Sequence, residues 1–246
     1  MLVPEFKETV SLLESYMGKR PRRGPFPIES TFTWSALLSA QACNEIRGDM
    51  LEIGVEFGTS AFLMLEVLRA KEHATFIDLA MTDEWREGIE RSYRAQTNYT
   101  YILANTLNMA RAELPSGCRW IHIDGGHLYR HVANDLELTV DSLADKGIIV
   151  LDDFFEIRWP DVTVAVLDYL KSSKKIVPFL LVNRKLYCAR TADSASAYKT
   201  AFCRFLAENS DQIGQVRCWN DVSLLGEQVV VAKMDLSPQL RALEAL

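Results

Sequence analysis

Two apolar runs that end in carboxylates constrain the fold of this chain most strongly. Residues 120–131 read WIHIDGGHLYRH, and residues 148–154 read IIVLDDF. Buried parallel strands are continuous apolar runs, and ligands collect beyond the carboxyl ends of such strands. Asp124 follows the first run and Asp152 and Asp153 follow the second, so the three carboxylates should converge in one crevice. Their repulsion is costly unless a cation lies between them, which predicts a divalent-metal site.

Strand and helix patterns alternate through the first two thirds of the chain. Such alternation is typical of βαβ crossovers and of a mostly parallel sheet that is covered on both faces. The sequence therefore predicts an α/β fold. The predicted strands are 50–53, 74–79, 99–103, 119–124 and 147–152, and the predicted helices between them are 60–70, 83–91, 107–114 and 129–144.

The pattern changes after Asp153. A helix is predicted over 162–171, and the runs IVPFLLV and KLYCAR then flank the turn-prone pair Asn183-Arg184. Two β-rich runs with a two-residue turn predict a hairpin. A helix over 195–208 and the β-rich runs VRCW and QVVVAKM follow. We therefore expect antiparallel strands at one edge of the parallel sheet.

The N-terminal segment has helical rather than targeting character. Residues 1–19 are amphipathic, without the basic start and uninterrupted apolar core of a signal peptide. A second helical pattern covers 33–45. We predict an N-terminal helical addition over 1–46 and a single domain over 47–246.

The composition argues against several partners. A net charge of -6 disfavours nucleic acid, because phosphate binding needs a basic surface. The chain has no apolar run of about 18 residues, so no membrane partner is expected. The 5 cysteines are scattered and odd in number, which indicates reduced thiols and a cytoplasmic location.

A glycine-rich turn joins the first strand to the next helix in the segment MLEIGVEFGTSAF. Gly54 and Gly58 permit backbone conformations or close approaches that a Cβ would hinder. Thr59 or Ser60 can cap the following helix. The spacing G-x-x-x-G departs from the G-x-G-x-x-G of dinucleotide sites and counts against NAD. Asp78, near the end of strand two, can bind a ribose diol, so the combination predicts a nucleoside cofactor.

In their order and spacing, these motifs resemble class I S-adenosylmethionine-dependent methyltransferases. The resemblance rests on E-x-G-x-x-x-G-x-S after strand one, Asp78, IDGGH after strand four and LDDF after strand five. More narrowly, the chain is similar to metal-dependent O-methyltransferases of the catechol type and to small-molecule and sugar O-methyltransferases of family 24. This implies a Rossmann-like class I methyltransferase fold, S-adenosylmethionine as methyl donor and a small-molecule acceptor. A homodimer contact through the N-terminal helices is suggested by the resemblance alone.

The resemblance also implies roles for the residues of the glycine turn and strand two. Glu52 would lie in the motif around the methionine moiety. Gly54 and Gly58 would give the cofactor backbone room, and Ser60 would lie near its carboxylate. Asp78 would hold the ribose hydroxyls.

Further along the chain, the resemblance implies an adenine site and a metal site. Asn105 and Thr106, after strand three, would border the adenine. Asp124, Asp152 and Asp153 would bind a divalent cation, with magnesium the expected ion. Catalysis would involve Asp124 as a cation ligand.

The chain departs from the catechol-type pattern at the predicted base. Those enzymes carry a lysine where this chain has His127, and an amide-carboxylate pair where it has Asp152-Asp153. An imidazole titrates near neutrality and suits proton transfer, so His127 is the candidate general base or a metal ligand. It is also possible for His127 only to pack at a helix start, or to form a zinc site with His131.

The remaining polar residues have structural interpretations. We expect His122 to be a hydrogen-bonded core histidine, Asp135 a solvated or capping charge, and Glu156 a surface charge. The basic run 19–23 is predicted to be a solvated linker. Its alternative role is to fold over the cleft and meet an anionic acceptor.

The leading hypothesis is a magnesium-dependent O-methyltransferase for a small hydroxylated acceptor, with a sugar hydroxyl preferred over a catechol. A competing hypothesis is a metal-independent methyltransferase that uses His127 as base. The same fold is also compatible with an aminopropyl transferase and with a non-catalytic binding protein.

Overall fold

A computed structural model describes every residue of the chain except Arg22 and Pro25. Arg22 belongs to the basic run predicted as a linker and so lies outside the described residues. The α-helices are α1 (Phe6–Met17), α2 (Ile28–Cys43), α3 (Thr59–Glu66), α4 (Asp83–Gly88), α5 (Tyr129–Thr139), α6 (Pro160–Ser172), α7 (Ala192–Glu208), α8 (Ser210–Ile213) and α9 (Pro238–Arg241). The strands are β1 (Met50–Ile53), β2 (Ala74–Asp78), β3 (Tyr99–Leu103), β4 (Cys118–Ile123), β5 (Leu143–Leu151), β6 (Val177–Val182), β7 (Lys185–Ala189), β8 (Gly214–Leu224) and β9 (Glu227–Leu236).

These strands form one mixed sheet in the order β3-β2-β1-β4-β5-β7-β6-β9-β8. The first five strands of the chain are parallel, and their order reverses between β1 and β4. Such a reversal opens a crevice at the carboxyl ends of the strands, where ligands of doubly wound sheets bind. The fold is therefore a Rossmann-like α/β fold, as the sequence predicts.

Antiparallel strands complete the sheet beyond β5, which confirms the predicted edge. β7 runs antiparallel to β5 and to β6. Asn183 and Arg184, the predicted turn, both have positive φ, 47° and 62°. A two-residue turn with two positive φ values matches the right-handed twist of a hairpin. The hairpin β8–β9 then joins through β9, which runs parallel to β6.

The helices cover both faces of the sheet. One core cluster contains side chains of α1, α2, α3 and α7, and the other contains side chains of α5 and α6. α2 is buried along most of its length, and its Trp34 packs edge-on against Trp120 of β4 with ring centroids 4.9 Å apart. α1 is tied to the start of α3, since the hydroxyl of Tyr16 donates to the Thr59 carbonyl at 2.8 Å.

Three helix predictions need correction. The predicted helix over 60–70 ends at Glu66. The predicted helix over 107–114 is wrong: two short 3-10 turns stand there, separated by Met109 and Ala110 in extended conformation. The predicted helix over 129–144 ends early, because a 3-10 turn at Val140–Ser142 leads directly into β5 at Leu143. Within the described part of the chain, none of the helices combines the length and apolar character needed to cross a bilayer.

Candidate active site

The turn after β1 needs glycine at two positions. Gly54 has φ 83°, and a Cβ there would collide with the backbone carbonyl of Asp124. Gly58 has φ 84°, and a Cβ would lie 2.6 Å from the ring of Trp85. Positive φ and close approach are the conditions that glycine meets without strain. The turn thus runs close to the end of β4, where the predicted carboxylate site begins.

Asp78 holds this turn in place. Its Oδ2 accepts hydrogen bonds from the backbone amides of Val55 and Glu56 at 2.7 and 2.8 Å. Its Oδ1 accepts from the amide of Leu79 at 2.6 Å. The carboxylate therefore joins the end of β2 to the glycine turn, in addition to the ribose role predicted for it.

Glu52 is fully buried and lies at the centre of a polar group. Its Oε1 accepts a hydrogen bond from the hydroxyl of Ser60 and lies 2.7 Å from Nδ1 of His122. Ser60 therefore bonds Glu52 instead of capping α3, and the N-cap position is Gly58 in the left-handed conformation. The prediction that His122 is a hydrogen-bonded core histidine is confirmed.

The polar group continues across the sheet to Asp152. Nε2 of His122 lies 3.7 Å from Oδ2 of Asp152, and the ammonium of Lys185 pairs with the same oxygen. Oδ1 of Asp152 accepts from the backbone amide of Asp153 at 2.7 Å. Asp152 is thus surrounded by donors from β4, β7 and its own loop.

The remaining two carboxylates are arranged differently. Asp153 Oδ2 lies 3.1 Å from Nε2 of His127. The imidazole of His127 stacks on the indole of Trp159, with ring centroids 4.5 Å apart and planes at 12°. Asp124 lies between these groups and Asp152, and from the described residues its carboxylate receives no hydrogen bond within 3.5 Å. The structure therefore brings Asp124, Asp152, Asp153 and His127 together, whereas His131, the alternative zinc partner of His127, is in neither set of candidate metal ligands that the described part of the chain offers.

The charges of this cluster perturb one another. Burial, with the nearby Asp152 carboxylate, raises the pKa of Asp124 well above its usual value. Burial opposes ionisation of Asp152 too, but Lys185 and His122 outweigh it and lower the pKa of Asp152. Burial disfavours imidazolium at His122, yet the neighbouring carboxylates of Asp152 and Glu52 overcome it and raise the pKa of His122 to about 9. Asp152 and His122 therefore form an ion pair near neutral pH, whereas Asp124 holds a proton more readily.

Two overlapping sets of side chains offer metal ligands: His122, Asp124 and Asp152, and Asp124, His127 and Asp153. In each set the ligand atoms lie within 4.8 Å of one another. Two carboxylates and an imidazole are suitable donors for a divalent cation. The second set fits a cation better, because His122 and Lys185 place positive charge next to the first.

The residues predicted near the adenine lie after β3, in short polar turns. The side chain of Asn105 accepts a hydrogen bond from the backbone amide of Leu107 at 3.1 Å. Near Thr106, the carboxyl of Asp135 accepts a hydrogen bond from the side-chain amide of Asn134 at 3.4 Å, and burial raises the pKa of Asp135. The prediction that Asp135 is a solvated or capping charge is wrong, since this residue is 1% exposed beneath Gly125.

The loop after β5 contains a second correction. The prediction that Glu156 is a surface charge is wrong, because Glu156 is 4% exposed and pairs with Arg158 and Arg184. The backbone amide of Phe154 also donates to the carbonyl of Arg184 at 2.8 Å. The β6–β7 turn therefore fixes the loop that carries Asp153.

Sequence reasoning missed Lys185. It is 4% exposed in β7, and its ammonium lies 5.4 Å from the centre of the Phe26 ring. The signal that could have found it is a lysine at the start of the otherwise apolar run KLYCA. Among the large aromatic side chains, Trp34, Trp85 and Phe154 belong to the core, whereas Phe155 and Trp159 are exposed.

Comparisons with known proteins concern the central part of the chain and its fold. Residues 51–154 match the family described as Methyltransferase domain, methyltransferase family 24. No curated protein matches the chain.

Solved structures of methyltransferases share the fold. The O-methyltransferase NovP superposes with a TM-score of 0.56 at 15% identity, covering 74% of this chain and 98% of its own. An O-methyltransferase from Bacillus cereus in complex with S-adenosylhomocysteine (SAH) superposes with a TM-score of 0.54 at 14% identity, covering 78% of this chain and 94% of its own. CalS11, a TDP-rhamnose 3'-O-methyltransferase, superposes with a TM-score of 0.51 at 18% identity, covering 77% of this chain and 96% of its own.

The family match begins in β1 and ends just after the Asp152-Asp153 pair, so it spans the glycine turn and both carboxylate-bearing strand ends. Residues 51–154 are therefore a methyltransferase domain, and the chain has the fold of class I S-adenosylmethionine-dependent methyltransferases.

Proposed function

We propose that the protein transfers the methyl group of S-adenosylmethionine to a hydroxyl oxygen of a small acceptor, with a divalent cation at the acceptor. The observation that carries the proposal is the convergence of Asp124, His127 and Asp153 within 4.8 Å, beside the glycine turn that contacts Asp124. Oxygen acceptors need activation, because a neutral hydroxyl is a poor nucleophile. A bound divalent cation supplies that activation by lowering the pKa of a coordinated hydroxyl.

The cofactor is assigned to the crevice beyond β1 and β2. Glu52 and Ser60 would face its methionine end, with Gly54 and Gly58 allowing close approach. Asp78 would accept from the ribose hydroxyls while it holds the turn. Asn105 and Thr106 would border the adenine from the adjacent strand end.

His127 is the proposed general base. If its Nε2–H donates to Asp153, Nδ1 is left as the basic atom. The indole of Trp159 keeps the ring in one plane through the stacking at 4.5 Å. As the acceptor oxygen bonds the methyl carbon, the carbon–sulfur bond breaks and the acceptor proton passes to His127. A positioned base of this kind accelerates a reaction by about 10²- to 10⁴-fold.

The acceptor is proposed to be a ring-shaped hydroxylated molecule, with a sugar preferred. The exposed indole of Trp159 offers an apolar surface beside the base. CalS11 is described as a TDP-rhamnose 3'-O-methyltransferase, which supports the preference by likeness of fold alone. The aminopropyl transferase hypothesis receives no support from these comparisons.

Metal-independent transfer is a second candidate because the described residues already place two cations, Lys185 and His122, against Asp152. In that case His127 and Asp124 alone would handle the acceptor proton.

The test is methyl transfer to a panel of sugars, nucleotide sugars and catechols, with product identified by mass spectrometry. After chelation we expect turnover to fall to background and to return when magnesium is added. Products methylated on oxygen would support the proposal. Full turnover in the chelated protein would instead select the metal-independent candidate, and methylation on nitrogen or carbon would contradict the proposed reaction.

A further inference from the structure

Lys185 is a buried cation on a strand outside the part of the chain that matches the methyltransferase family. The match ends at residue 154, whereas Lys185 begins β7. β7 runs antiparallel to β5, with Leu186 opposite Leu151, so Lys185 lies beside Asp152 at the end of β5. Only 4% of Lys185 is exposed. A buried ammonium is costly unless it is paired, so its position demands an explanation.

The three carboxylates of the cluster differ in how their oxygens are used. Asp152 has a partner on both: the backbone amide of Asp153 on Oδ1, and Lys185 with His122 on Oδ2. Asp153 contacts His127 through Oδ2. Asp124 receives no hydrogen bond within 3.5 Å from the described residues. A cation entering the cluster therefore finds Asp124 and Asp153 accessible and Asp152 engaged.

We propose that Lys185 is a positioning residue that holds Asp152 in the sheet and keeps it from coordinating a divalent cation. The cation is then bound by Asp124 and Asp153, beside His127, and the ammonium weakens its binding by repulsion. Asp152 instead joins Lys185 to His122 and, through Glu52, to Ser60 at the cofactor turn. This inference rests on the proposed cation-dependent function, but its test separates the two.

The affinity of the purified full chain for Mn²⁺ can be measured without an acceptor. The electron paramagnetic resonance signal of free Mn²⁺ reports how much of the ion remains unbound. Lys185→Met removes the charge at similar length, and Lys185→Arg is the matched control that keeps it. We expect Lys185→Met to bind Mn²⁺ at least about tenfold more tightly, because a unit charge a few ångströms away is removed and Asp152 is released. Lys185→Arg should bind as the unchanged protein does.

A second variant removes both charges of the Lys185–Asp152 pair, so that neither buried charge is left without its partner. Lys185→Met leaves Asp152 with less compensation, so the double variant Lys185→Met/Asp152→Asn removes both charges of the pair. Binding of SAH and the thermal midpoint report whether each variant is folded. The double variant should keep the Mn²⁺ affinity of the unchanged protein, whereas Asp153→Asn should lose most of it.

The outcomes distinguish the inference from the proposed function. Tighter Mn²⁺ binding in Lys185→Met supports the inference, and it does so even if the unchanged protein binds no Mn²⁺, in which case only the metal-dependent function fails. Unchanged or weaker binding in Lys185→Met overturns the inference. If the double variant loses as much Mn²⁺ affinity as Asp153→Asn does, the inference is also overturned, because Asp152 would then be a cation ligand. Absence of Mn²⁺ binding in every variant overturns both.

Discussion

At the scale of single residues, sequence reasoning located the candidate base but not its surroundings. His127 follows Asp124 by three residues at the end of an apolar strand, and that spacing is enough to place it at the strand end. His127 stacks on Trp159, which lies 32 positions away in a separate loop, so no local sequence pattern predicts this contact. The contact of Lys185 with Asp152 could not be predicted for the same reason, because it depends on the antiparallel pairing of β7 with β5.

Replacing His127 tests the base directly. His127→Ala should lower turnover by about 10²- to 10⁴-fold, the usual range for a positioned base, while the affinity for SAH barely changes. Steady-state rates and calorimetry measure the two effects. His73→Ala is the matched control, since His73 lies at the opposite end of the sheet, where it bonds Thr100. Near-normal turnover in His127→Ala would leave cation activation as sufficient and return His127 to a packing role.

At the scale of elements, strands were predicted more accurately than helices. β1 and β3 have the predicted bounds, whereas β5 begins four residues earlier than predicted, where its register with β4 shifts. The failed helix over 107–114 had helical composition, but Asn105 caps a single turn and the chain then extends at Met109 and Ala110. Local propensity is a weak prior, and capping overrode it there.

The glycine turn is the element whose sequence signature and geometry agree best. Its spacing predicted close backbone approach, and Gly54 indeed faces the carbonyl of Asp124. What the sequence could not show is that Asp78 fixes the turn through the amides of Val55 and Glu56. Those bonds connect residues more than 20 positions apart, and they depend on β1 and β2 being neighbours.

Asp78→Ala should weaken binding of SAH by about 1–3 kcal/mol, because a charged hydrogen-bond acceptor is lost and the turn loosens. Asp78→Asn keeps one acceptor oxygen and should lose less affinity for SAH than Asp78→Ala does. Asp83→Ala is the matched control, since the side chain of Asp83 is 86% exposed. Calorimetry measures all three variants. An affinity for SAH that is equal in Asp78→Ala and the unchanged protein would remove Asp78 from the cofactor site.

At the scale of the whole molecule, a row of buried ionisable groups crosses four neighbouring strands. Glu52 of β1, His122 of β4, Asp152 after β5 and Lys185 of β7 lie on the face covered by α2. The parallel core of the sheet could be predicted from sequence, but this row could not, because it needs the strand order and the register together. It links the glycine turn to the carboxylate cluster, so its charge state should affect the stability of the entire fold.

The row predicts a loss of stability on the alkaline side. The pKa of His122 is about 9 in the folded protein, above an unfolded value of about 6.5, so imidazolium stabilises the fold. That contribution is fully present below about pH 6.5 and is lost as the pH rises through about 9. With one pKa unit worth about 1.4 kcal/mol, the free energy of unfolding should fall by about 2 kcal/mol between pH 6 and pH 8.5.

Urea unfolding in the presence of a chelator, at several pH values in this window, measures the effect. His122→Asn should be less stable at pH 6 and should show a flatter pH dependence than the unchanged protein. Burial raises the pKa of Cys118 to about 12, whereas an unfolded cysteine ionises at about pH 8.5, so this thiol lowers the stability of both proteins equally at the upper end of the window. Equal slopes in the two proteins would show that His122 is neutral in the fold, and that Lys185 alone balances Asp152 and Glu52.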